Sequence, residues 1–388
     1  GSRADIGAYP YLNTYSGPTW YVSATDGNDT TATGASAAPF KSIQSAINFA
    51  TDADSVTVAA GTYVENIKFR DIQIKVVGEN PTTTIIDGNN NGTVVMYSEG
   101  FHYTSSSLLA KFTIMNGYAE PKGNSQREGG GIYSTGYPRF RNLIIRNNIA
   151  ESEGGGIFTI FGSNIENCLF IDNEATQGAG IYCYATGFLG NQTITNVTIS
   201  NNIGGGLALN SGGANQPTDL NLNNSIIWGN DGPSIHFGNL CGIIADYNNI
   251  YGGIDSISTE NDTFSPTIYW GAGNIDTDPA FVDTANGDYH LSDLSPAIGA
   301  GTASITIDNV TYTAPSNDLD GNPRPNPAGT LPDMGAYESD KGVDPNYAGP
   351  VWYVDGPAAL PYGNGGPGAP FTTIAAGINA ASNGETVS

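Results

Sequence analysis

The sequence predicts an all-β fold, a parallel β-helix in which short strands stack coil upon coil along one axis. One pattern recurs four times, an asparagine, an alternating apolar run and a second asparagine, at 142–148, 167–173, 196–202 and 224–230. A glycine-rich strand start precedes each copy, at 129–132, 154–157, 178–181 and 204–207. The central apolar residues lie 25, 29 and 28 residues apart, which indicates a solenoid, and the period-two alternation indicates strands. The general crossover rule predicts right-handed coils.

An amphipathic helix is predicted ahead of the coils, over residues 39–50. Its apolar residues follow helical spacing, and Pro39 suits the first turn of a helix. These apolar residues are Phe40, Ile43, Ala46, Ile47 and Ala50. Because the first coil of a solenoid would otherwise expose strand edges and core, we expect this helix to be an N-terminal cap.

Further strands are predicted on both sides of the regular copies. Those ahead of them cover 56–58, 63–67, 72–77, 84–86, 94–97 and 112–114, and those behind cover 234–237 and 243–250. The stretch that follows, from Asp276 to Arg324, is rich in Asp, Gly and Pro and predicts a loop-rich C-terminal cap.

The two ends of the chain resemble each other at a distance of about 330 residues. Residues 5–9, 20–22 and 38–43 recur with few changes at 333–337, 352–354 and 369–374. We therefore expect three parts: 1–17 as the tail of a preceding repeat unit, 18–340 as one β-helix domain, and 341–388 as the truncated start of a following unit. This organisation predicts a tandem-repeat protein.

The alternation within each copy assigns residues to the core or to the outside. Two inward columns are predicted, Leu143–Cys168–Val197–Ser225 and Ile145–Phe170–Ile199–Ile227. The outward column between them is also apolar, so a long loop or a partner is expected to cover it: Ile144, Leu169, Thr198 and Ile226. Asparagine suits the corners because it tolerates the left-handed backbone conformation, and stacked amides can hydrogen-bond from coil to coil.

Composition restricts the function. The chain of 388 residues has a net charge of −24, which disfavours binding to nucleic acids and to anionic membranes. No apolar run approaches the length of a membrane span, and the Asn- and Gly-rich, lysine-poor composition favours a secreted or cell-surface protein. The three cysteines show no metal-ligand spacing, and Cys168 occupies a predicted core position.

A resemblance to known proteins supports this interpretation. The helix-capped start and the asparagine-bounded coils resemble right-handed parallel β-helix proteins of the pectate-lyase-like group. Four closing motifs are similar to the ending of bacterial "choice-of-anchor Q" secreted proteins, namely those at 278–281, 295–298, 318–324 and 333–338. The resemblance implies a bacterial, extracellular β-helix protein, and it leaves the activity open because this group mixes lyases, hydrolases and modules without assigned activity.

An aromatic column is the first candidate site. Because Ile132, Ile157 and Ile181 point inward, the residues that follow them should point outward on three adjacent coils: Tyr133, Phe158 and Tyr182. Stacked aromatic rings suit the faces of sugars, which predicts carbohydrate binding. The alternative is a hydrophobic ledge under neighbouring loops.

A cluster of cations is the second candidate. Lys122 and Arg127 lie in one insertion, and Arg139 and Arg141 share a strand face. A lyase that acts on an acidic polysaccharide needs cations to neutralise the carboxylate and a Lys or Arg to remove the adjacent proton, so these four are candidate catalytic residues. Salt bridges on a solvated face are the alternative.

The segment Asp318-Leu-Asp-Gly-Asn322 imitates the start of a calcium loop, with Asp318, Asp320 and Asn322 as candidate ligands. The glutamate that such a loop needs at its twelfth position is absent, since Gly329 stands there. Calcium is thus the one cofactor that the sequence suggests, and an Asp/Asn-rich turn is the alternative.

Two functions are compatible with these features. The first is an extracellular, non-catalytic module that presents a lateral face to polysaccharides, neighbouring repeat units or surface proteins. The second is a polysaccharide lyase or hydrolase that acts on an acidic glycan. The Asn-Thr-Asp and Arg-x-Pro-x-x-Arg signatures of pectin-degrading enzymes are absent from the sequence, which favours the first function.

Overall fold

The computed structural model describes residues 15–97, 104–120, 127–185, 192–211, 218–238, 241–260, 266–307, 310–343, 349–356, 363–366, 369–382 and 384–388. These residues form a parallel β-helix, as the repeats predict. Neither of its two α-helices is long and apolar enough to cross a membrane, a statement confined to the residues described.

The N-terminal part contains one helix, α1 (Ile43–Phe49), between the first two strands. Its strands are β1 (Thr19–Val22), β2 (Ser55–Val58), β3 (Gly61–Val64), β4 (Ile67–Lys68), β5 (Lys75–Gly78), β6 (Thr84–Asp87), β7 (Val95–Tyr97), β8 (Leu108–Met115) and β9 (Tyr118–Ala119). Helix α1 packs against β1, β2 and β4, with Ile43, Ala46 and Ile47 buried. It therefore covers the start of the solenoid, as a cap does.

The predicted start of this helix was wrong by four residues. Phe40 pairs with Val22 of β1 and is fully buried, so the chain is still extended after Pro39. Ser42 is the N-cap, since its hydroxyl accepts a hydrogen bond from the backbone N–H of Ser45. The start of helix α1 is thus set by a capping serine and not by a proline, which the first turn of a helix merely tolerates.

The regular coils follow. Their strands are β10 (Ile132–Thr135), β11 (Arg139–Arg146), β12 (Ile149–Ala150), β13 (Ile157–Ile160), β14 (Asn164–Glu166), β15 (Leu169–Ile171), β16 (Ile181–Ala185), β17 (Gln192–Thr195), β18 (Thr198–Ser200), β19 (Leu207–Ser211), β20 (Thr218–Asn223), β21 (Ile226–Trp228), β22 (Ile235–Phe237), β23 (Cys241–Asp246) and β24 (Asn249–Ile250). The remaining strands are β25 (Ile257–Thr259), β26 (Thr267–Trp270), β27 (Phe281–Asp283), β28 (Asp288–Leu291), β29 (Ser304–Ile307), β30 (Val310–Thr313), β31 (Val351–Trp352) and β32 (Thr386–Val387), with helix α2 (Ile374–Ala380) between the last two.

Three faces surround the core. The first face runs in the order β1-β2-β5-β8-β11-β14-β17-β20-β23-β26. At an asparagine corner it bends into a second face, which consists of β3, β6, the later halves of β8 and β11, β15, β18, β21 and β24. The third face runs in the order β25-β22-β19-β16-β13-β10-β7-β4. All pairings within these faces are parallel, which defines the β-helix.

The predicted columns are confirmed. Ile145, Phe170, Ile199 and Ile227 are register partners in turn and are fully buried. Leu143, Cys168, Val197 and Ser225 are buried as well. Burial raises the pKa of the Cys168 thiol to about 12, so this cysteine is a small core residue and a poor nucleophile.

Asparagines make the corners in two ways. Asn142, Asn167, Asn196 and Asn224 adopt the left-handed conformation, with φ between 51° and 53°. The second set forms the predicted ladder, in which the Nδ2 atoms of Asn148, Asn173 and Asn202 donate to the Oδ1 atoms of Asn173, Asn202 and Asn230, at 3.0, 3.0 and 2.8 Å. Each coil is thereby bonded to the next through its side chains as well as its backbone.

The loop-rich C-terminal region lies along the side of the solenoid, over the predicted apolar column. We call residues 276–343 the closing segment. Ile144, Leu169 and Ile171 form a buried cluster with Tyr289, Leu319, Ala336 and Tyr337, and Ile226 packs with Ala297 and Met334. The expectation that a long loop covers the outward column is therefore confirmed.

The corner asparagines hold this segment. The Nδ2 atoms of Asn142, Asn167, Asn196 and Asn224 donate to the carbonyl oxygens of Asp318, Asn317, Asp333 and Thr302, at 3.4, 2.5, 3.1 and 2.8 Å. One repeated residue thus makes the turn with its backbone and binds the closing segment with its side chain.

Candidate functional site

The outer side of the first face carries mostly polar side chains. Alternation along the strands gives it two rows, Arg139–Asn164–Thr193–Asn221–Ile244–Tyr269 and Arg141–Glu166–Thr195–Asn223–Asp246. Neighbours in a row belong to consecutive coils, so they are about 4.8 Å apart.

A cleft of about 770 Å³ opens where this surface meets the hairpin β29–β30. We call it the Asp246 cleft. Strands β23 and β26 and the loops after them contribute Ile244, Asp246, Tyr247, Thr267 and Tyr269, and the closing segment contributes Thr302, Ser304, Ile305, Thr306 and Ile307. Its volume is in the range of small-molecule and sugar sites.

Asp246 is the charged group of the cleft. The residue is 7% exposed, and its carboxylate has no hydrogen-bond partner among the described residues. Burial raises its pKa above the ordinary value. The carboxylate occupies the space that a side chain at position 271 would need, since a Cβ on Gly271 would lie 1.3 Å from Asp246 Oδ1. The Asp246 carboxylate is therefore a hydrogen-bond acceptor in the wall of the cleft.

Two asparagines of β20 lie nearby, Asn223 as the register partner of Asp246 and Asn221 as that of Ile244. Asn223 is 1% exposed, and neither atom of its amide finds a partner in the part of the chain that the structure describes. The Nδ2 atom of Asn221 donates to the Tyr312 hydroxyl at 2.8 Å, while its Oδ1 atom has no partner among those residues. The described lining of the cleft includes neither asparagine, so their unpaired amide atoms are buried behind it at a cost in free energy.

Tyr269 supplies an aromatic surface. It is 60% exposed and follows Ile244 in its row, one coil beyond Ile244 and two coils beyond Asn221. The cleft therefore combines a solvent-facing ring with a carboxylate and several hydroxyl groups. Among the described residues that line it, Asp246 is the one acidic group, and none is a Lys, Arg, His or Cys.

The predicted cation cluster is divided by the structure. Arg139 and Arg141 do share the outer side of the first face, and Arg141 Nε lies 3.6 Å from Glu166 Oε2. Arg127 precedes the third face instead, where its carbonyl accepts a hydrogen bond from Ser152 N. Lys122 lies outside the described residues. Arg139 also lines a separate cavity of about 700 Å³ with Asp52, Asp54, Gln73 and Lys75.

The aromatic column is formed as predicted, on three consecutive coils. The ring centroids of Tyr133 and Phe158, and of Phe158 and Tyr182, are 5.4 Å apart and the rings are stacked. The three residues are only 7%, 7% and 4% exposed, and Ile160, Tyr184 and Ala208 pack against them. This burial is what the alternative, a hydrophobic ledge, predicts, because the ring faces already contact one another.

The candidate calcium ligands make other contacts. The Asp318 carboxylate accepts hydrogen bonds from the backbone N–H groups of Asn322 and Glu338 and from Asn322 Nδ2, at 2.7, 2.9 and 3.2 Å. Asp320 Oδ2 lies 2.8 Å from His290 Nε2. Since N–H donors fill the oxygens of Asp318, this geometry favours the alternative of an Asp/Asn-rich turn.

A buried charge cluster beside this turn was missed by sequence reasoning. Arg324 Nε lies 2.9 Å from Glu338 Oε2, and both side chains are fully buried. The Nε–H is not aligned with the carboxylate, so this contact is an ion pair without a good hydrogen bond. Asp333, also fully buried, accepts from the backbone N–H groups of Gly299 and Ser339. The motifs at 318–324 and 333–338 supply the three charged residues Arg324, Asp333 and Glu338, so these motifs hold the closing segment together.

His290 should titrate far above an ordinary histidine. Its hydrogen bond to Asp320, aided by Asp288 at 2.6 Å, raises its pKa to about 9, whereas burial lowers the pKa of His236. NMR titration of the imidazole protons should show His290 charged at pH 7.5 and His236 neutral. Because the folded pKa of His290 is raised, its contribution to stability is complete below pH of about 6.5 and is lost as pH rises through about 9.

The matched variant is His290→Gln. The melting temperature of the wild-type protein should exceed that of this variant most at pH 6, and the difference should shrink towards pH 10. A difference in melting temperature that stays constant with pH would contradict the raised pKa of His290. It would show that His290 stabilises the protein by packing on Tyr337 and not by its charge.

Comparison with known proteins identifies no family. No family model and no curated protein matches the chain. Among solved structures it is similar to pectate lyase Pel9A, at 16% identity, over 82% of this chain and 96% of that one, with a TM-score of 0.42. It is also similar to the pectin methylesterase of Aspergillus niger (14% identity, 75% and 92%, TM-score 0.36) and to that of carrot (14%, 69% and 80%, 0.30). The chain is a parallel β-helix protein on the evidence of its own coils and registers.

Proposed function

We propose that the protein is a secreted, non-catalytic β-helix module whose Asp246 cleft binds a neutral polysaccharide. The observation that carries the proposal is the unpartnered, buried carboxylate of Asp246 in one cleft with the exposed ring of Tyr269. A sugar presents C–H groups to an aromatic ring and hydroxyl donors to a carboxylate, and it can satisfy both at once.

Charge favours a neutral ligand. The net charge of −24 and the carboxylate in the cleft both repel a polyuronate or a sulfated glycan. Hydroxyl groups, in contrast, donate to Asp246 without that repulsion, and the hydroxyl oxygens of Thr267, Thr302 and Thr306 can accept hydrogen bonds from the same sugar. The acidic, lysine-poor composition supports an extracellular location.

The described residues that line the cleft lack the groups that cleavage needs. Hydrolysis of a glycosidic bond ordinarily uses two carboxyl groups on opposite sides of that bond, and elimination needs a base with cations at the carboxylate. The described lining of the cleft contains one carboxyl group and no cation. Binding without turnover is therefore the function that its chemistry supports.

Retention on insoluble glycans tests the proposal. Wild-type protein should be retained on at least one neutral glycan, such as a xylan or a glucan, and Tyr269→Ala should weaken retention about tenfold, as expected for loss of one stacked ring. Asp246→Asn should also weaken it. Tyr251→Ala is the matched control, because Tyr251 is 58% exposed and packs on Trp228 away from the cleft lining.

The same panel should include pectate and alginate, with soluble products assayed. Release of unsaturated or reducing ends would contradict a non-catalytic module and would favour the second function, a lyase or hydrolase for acidic glycans. Arg139→Ala would then show whether the basic end of the first face is involved. Equal retention of the wild-type protein and Tyr269→Ala would exclude the Asp246 cleft as the binding site.

A further inference from the structure

The described residues between 349 and 388 reproduce the architecture of the N-terminal cap. Strand β31 pairs in parallel with β32, with Trp352 opposite Val387, just as β1 pairs with β2 and Trp20 lies opposite Val56. Phe371 bridges to Val354 as Phe40 bridges to Val22. Thr373 caps α2 through its side chain, as Ser42 caps α1. We call residues 18–58 the first cap and residues 350–388 the second cap.

Side-chain contacts repeat as well. The indole N–H of Trp352 donates to Glu385 at 2.8 Å, and that of Trp20 donates to Asp54 at 2.9 Å. The ring centroids of Trp352 and Phe371 are 6.0 Å apart, against 6.3 Å for Trp20 and Phe40. The two caps therefore share one structure, including the hydrogen bond that the tryptophan indole donates in each of them.

Burial separates the two caps. Ile43 and Ile47 of α1 are 0% exposed, whereas their counterparts in α2, Ile374 and Ile378, are 67% and 61% exposed. Two isoleucines one helical turn apart form an apolar stripe, and water contact with such a stripe is unfavourable. Among the described residues, the face of α2 that corresponds to the buried face of α1 is therefore exposed to solvent.

The first cap shows what covers this face. Segment 65–70 of the first coil crosses α1, and Ile67 and Phe69 belong to the same buried cluster as Ile43 and Ile47. Polar contacts fix the position. Glu65 accepts from the backbone N–H groups of Ile43 and Gln44, at 2.7 and 3.0 Å, and Arg70 Nη1 donates to the Asn48 carbonyl at 2.9 Å.

We infer that the second cap is a docking surface for the first coil of another β-helix unit of this chain's own type. The expected occupant carries apolar side chains where Ile67 and Phe69 stand, and it lies across α2 as segment 65–70 lies across α1. The coil of the present chain is not available, because α1 already covers it. This inference is independent of the proposed glycan binding, since it concerns another surface.

Extending the whole protein tests the inference. In its strand pairing, Ser388 of the second cap occupies the position that Thr57 occupies in the first cap. A copy of residues 58–343 joined directly to Ser388 therefore continues the second cap in the native register. In this extended protein, the thiol introduced by Ile378→Cys should react with maleimide about tenfold or more slowly than in the original chain, as expected when a site becomes protected by packing. Hydrogen exchange in α2 should slow in parallel.

Two controls make the result decisive. Ile47→Cys, in the first cap, should react slowly in both proteins. When the extended protein carries Ile374→Asp together with Ile378→Cys, the introduced thiol should react as fast as in the original chain, because an aspartate cannot be buried against the coil. Equal labelling of Ile378→Cys in the original and the extended protein would overturn the inference, whether or not the added coils fold, since it would show that these coils do not dock on the second cap.

Discussion

Replacing Arg324 with methionine is expected to lower the free energy of unfolding by about 3–5 kcal/mol, the cost of removing one partner from a buried ion pair. Arg324 contacts the buried carboxylate of Glu338, and the nearby buried carboxyl groups of Asp318 and Asp333 also act on its charge. It also donates to Asn167 Oδ1 at 3.2 Å and to the Gly335 carbonyl at 3.1 Å. Its loss therefore removes both the charge balance and a link between closing segment and coils.

The pH dependence of this effect follows from the acids. Burial raises the pKa of Glu338 to about 6 and raises that of Asp333 well above its ordinary value. For an acid whose folded pKa is raised, the folded state binds more protons, so its stability falls as pH rises from the unfolded pKa through the folded one. Without Arg324, the ionised carboxylates have no counterion, and the destabilisation should be larger at pH 8 than at pH 5.

Denaturant unfolding of Arg324→Met at pH 5 and at pH 8 measures both the loss of stability and its dependence on pH. Arg141→Met is the matched control, because the ion pair of Arg141 with Glu166 is partly exposed, and it should cost less than about 1 kcal/mol. If the two variants were equally stable, the charge cluster could not be what locks the closing segment to the solenoid.

Replacing Asn173 with alanine is expected to cost about 4 kcal/mol, from several buried groups that lose their partners together. Its Oδ1 accepts from both N and Nδ2 of Asn148, at 3.1 and 3.0 Å. Its Nδ2 donates to the Ile145 carbonyl at 2.9 Å and to Asn202 Oδ1 at 3.0 Å. Since water does not reach this corner, the groups left behind stay unsatisfied.

Asn201→Gly provides the comparison. Asn201 lies at an exposed corner with φ of 56°, a conformation that glycine adopts without strain, so this variant should differ from wild type by less than about 0.5 kcal/mol. Hydrogen exchange should show the Asn148 amide losing its protection in Asn173→Ala only. Similar stabilities for the two variants would mean that the ladder adds little to the backbone pairing.

The periodic features of this protein could be predicted because each depends on local rules. Inward and outward columns follow from alternation, and Ile145, Phe170 and Ile199 are where alternation puts them. The start of α1 was predicted four residues early, because a proline at a permissive position is a weaker signal than a capping serine. For the aromatic column, the sequence placed the rings on adjacent coils correctly but could not tell how much of each ring is exposed.

The candidate site depended on contacts that no local rule describes. Asp246 and Tyr269 come from neighbouring coils, and Thr302 comes from the closing segment, so the cleft exists only where these parts meet. The sequence does contain a signal, the adjacent residues Asp246 and Tyr247 at the end of an alternating strand. Nothing in the sequence showed that the carboxylate of Asp246 would lack a hydrogen-bond partner. The same holds for Arg324 and Glu338, which pair because the closing segment folds back on itself.

The sequence by itself determined the coil, its core columns, its asparagine corners and the repetition of the cap, because periodicity and backbone preference act between near neighbours. Only the tertiary structure decided that the closing segment lies along the second face, that the cations separate and that one cap is covered while the other is bare. These outcomes depend on burial, and burial depends on which distant segments reach the same surface.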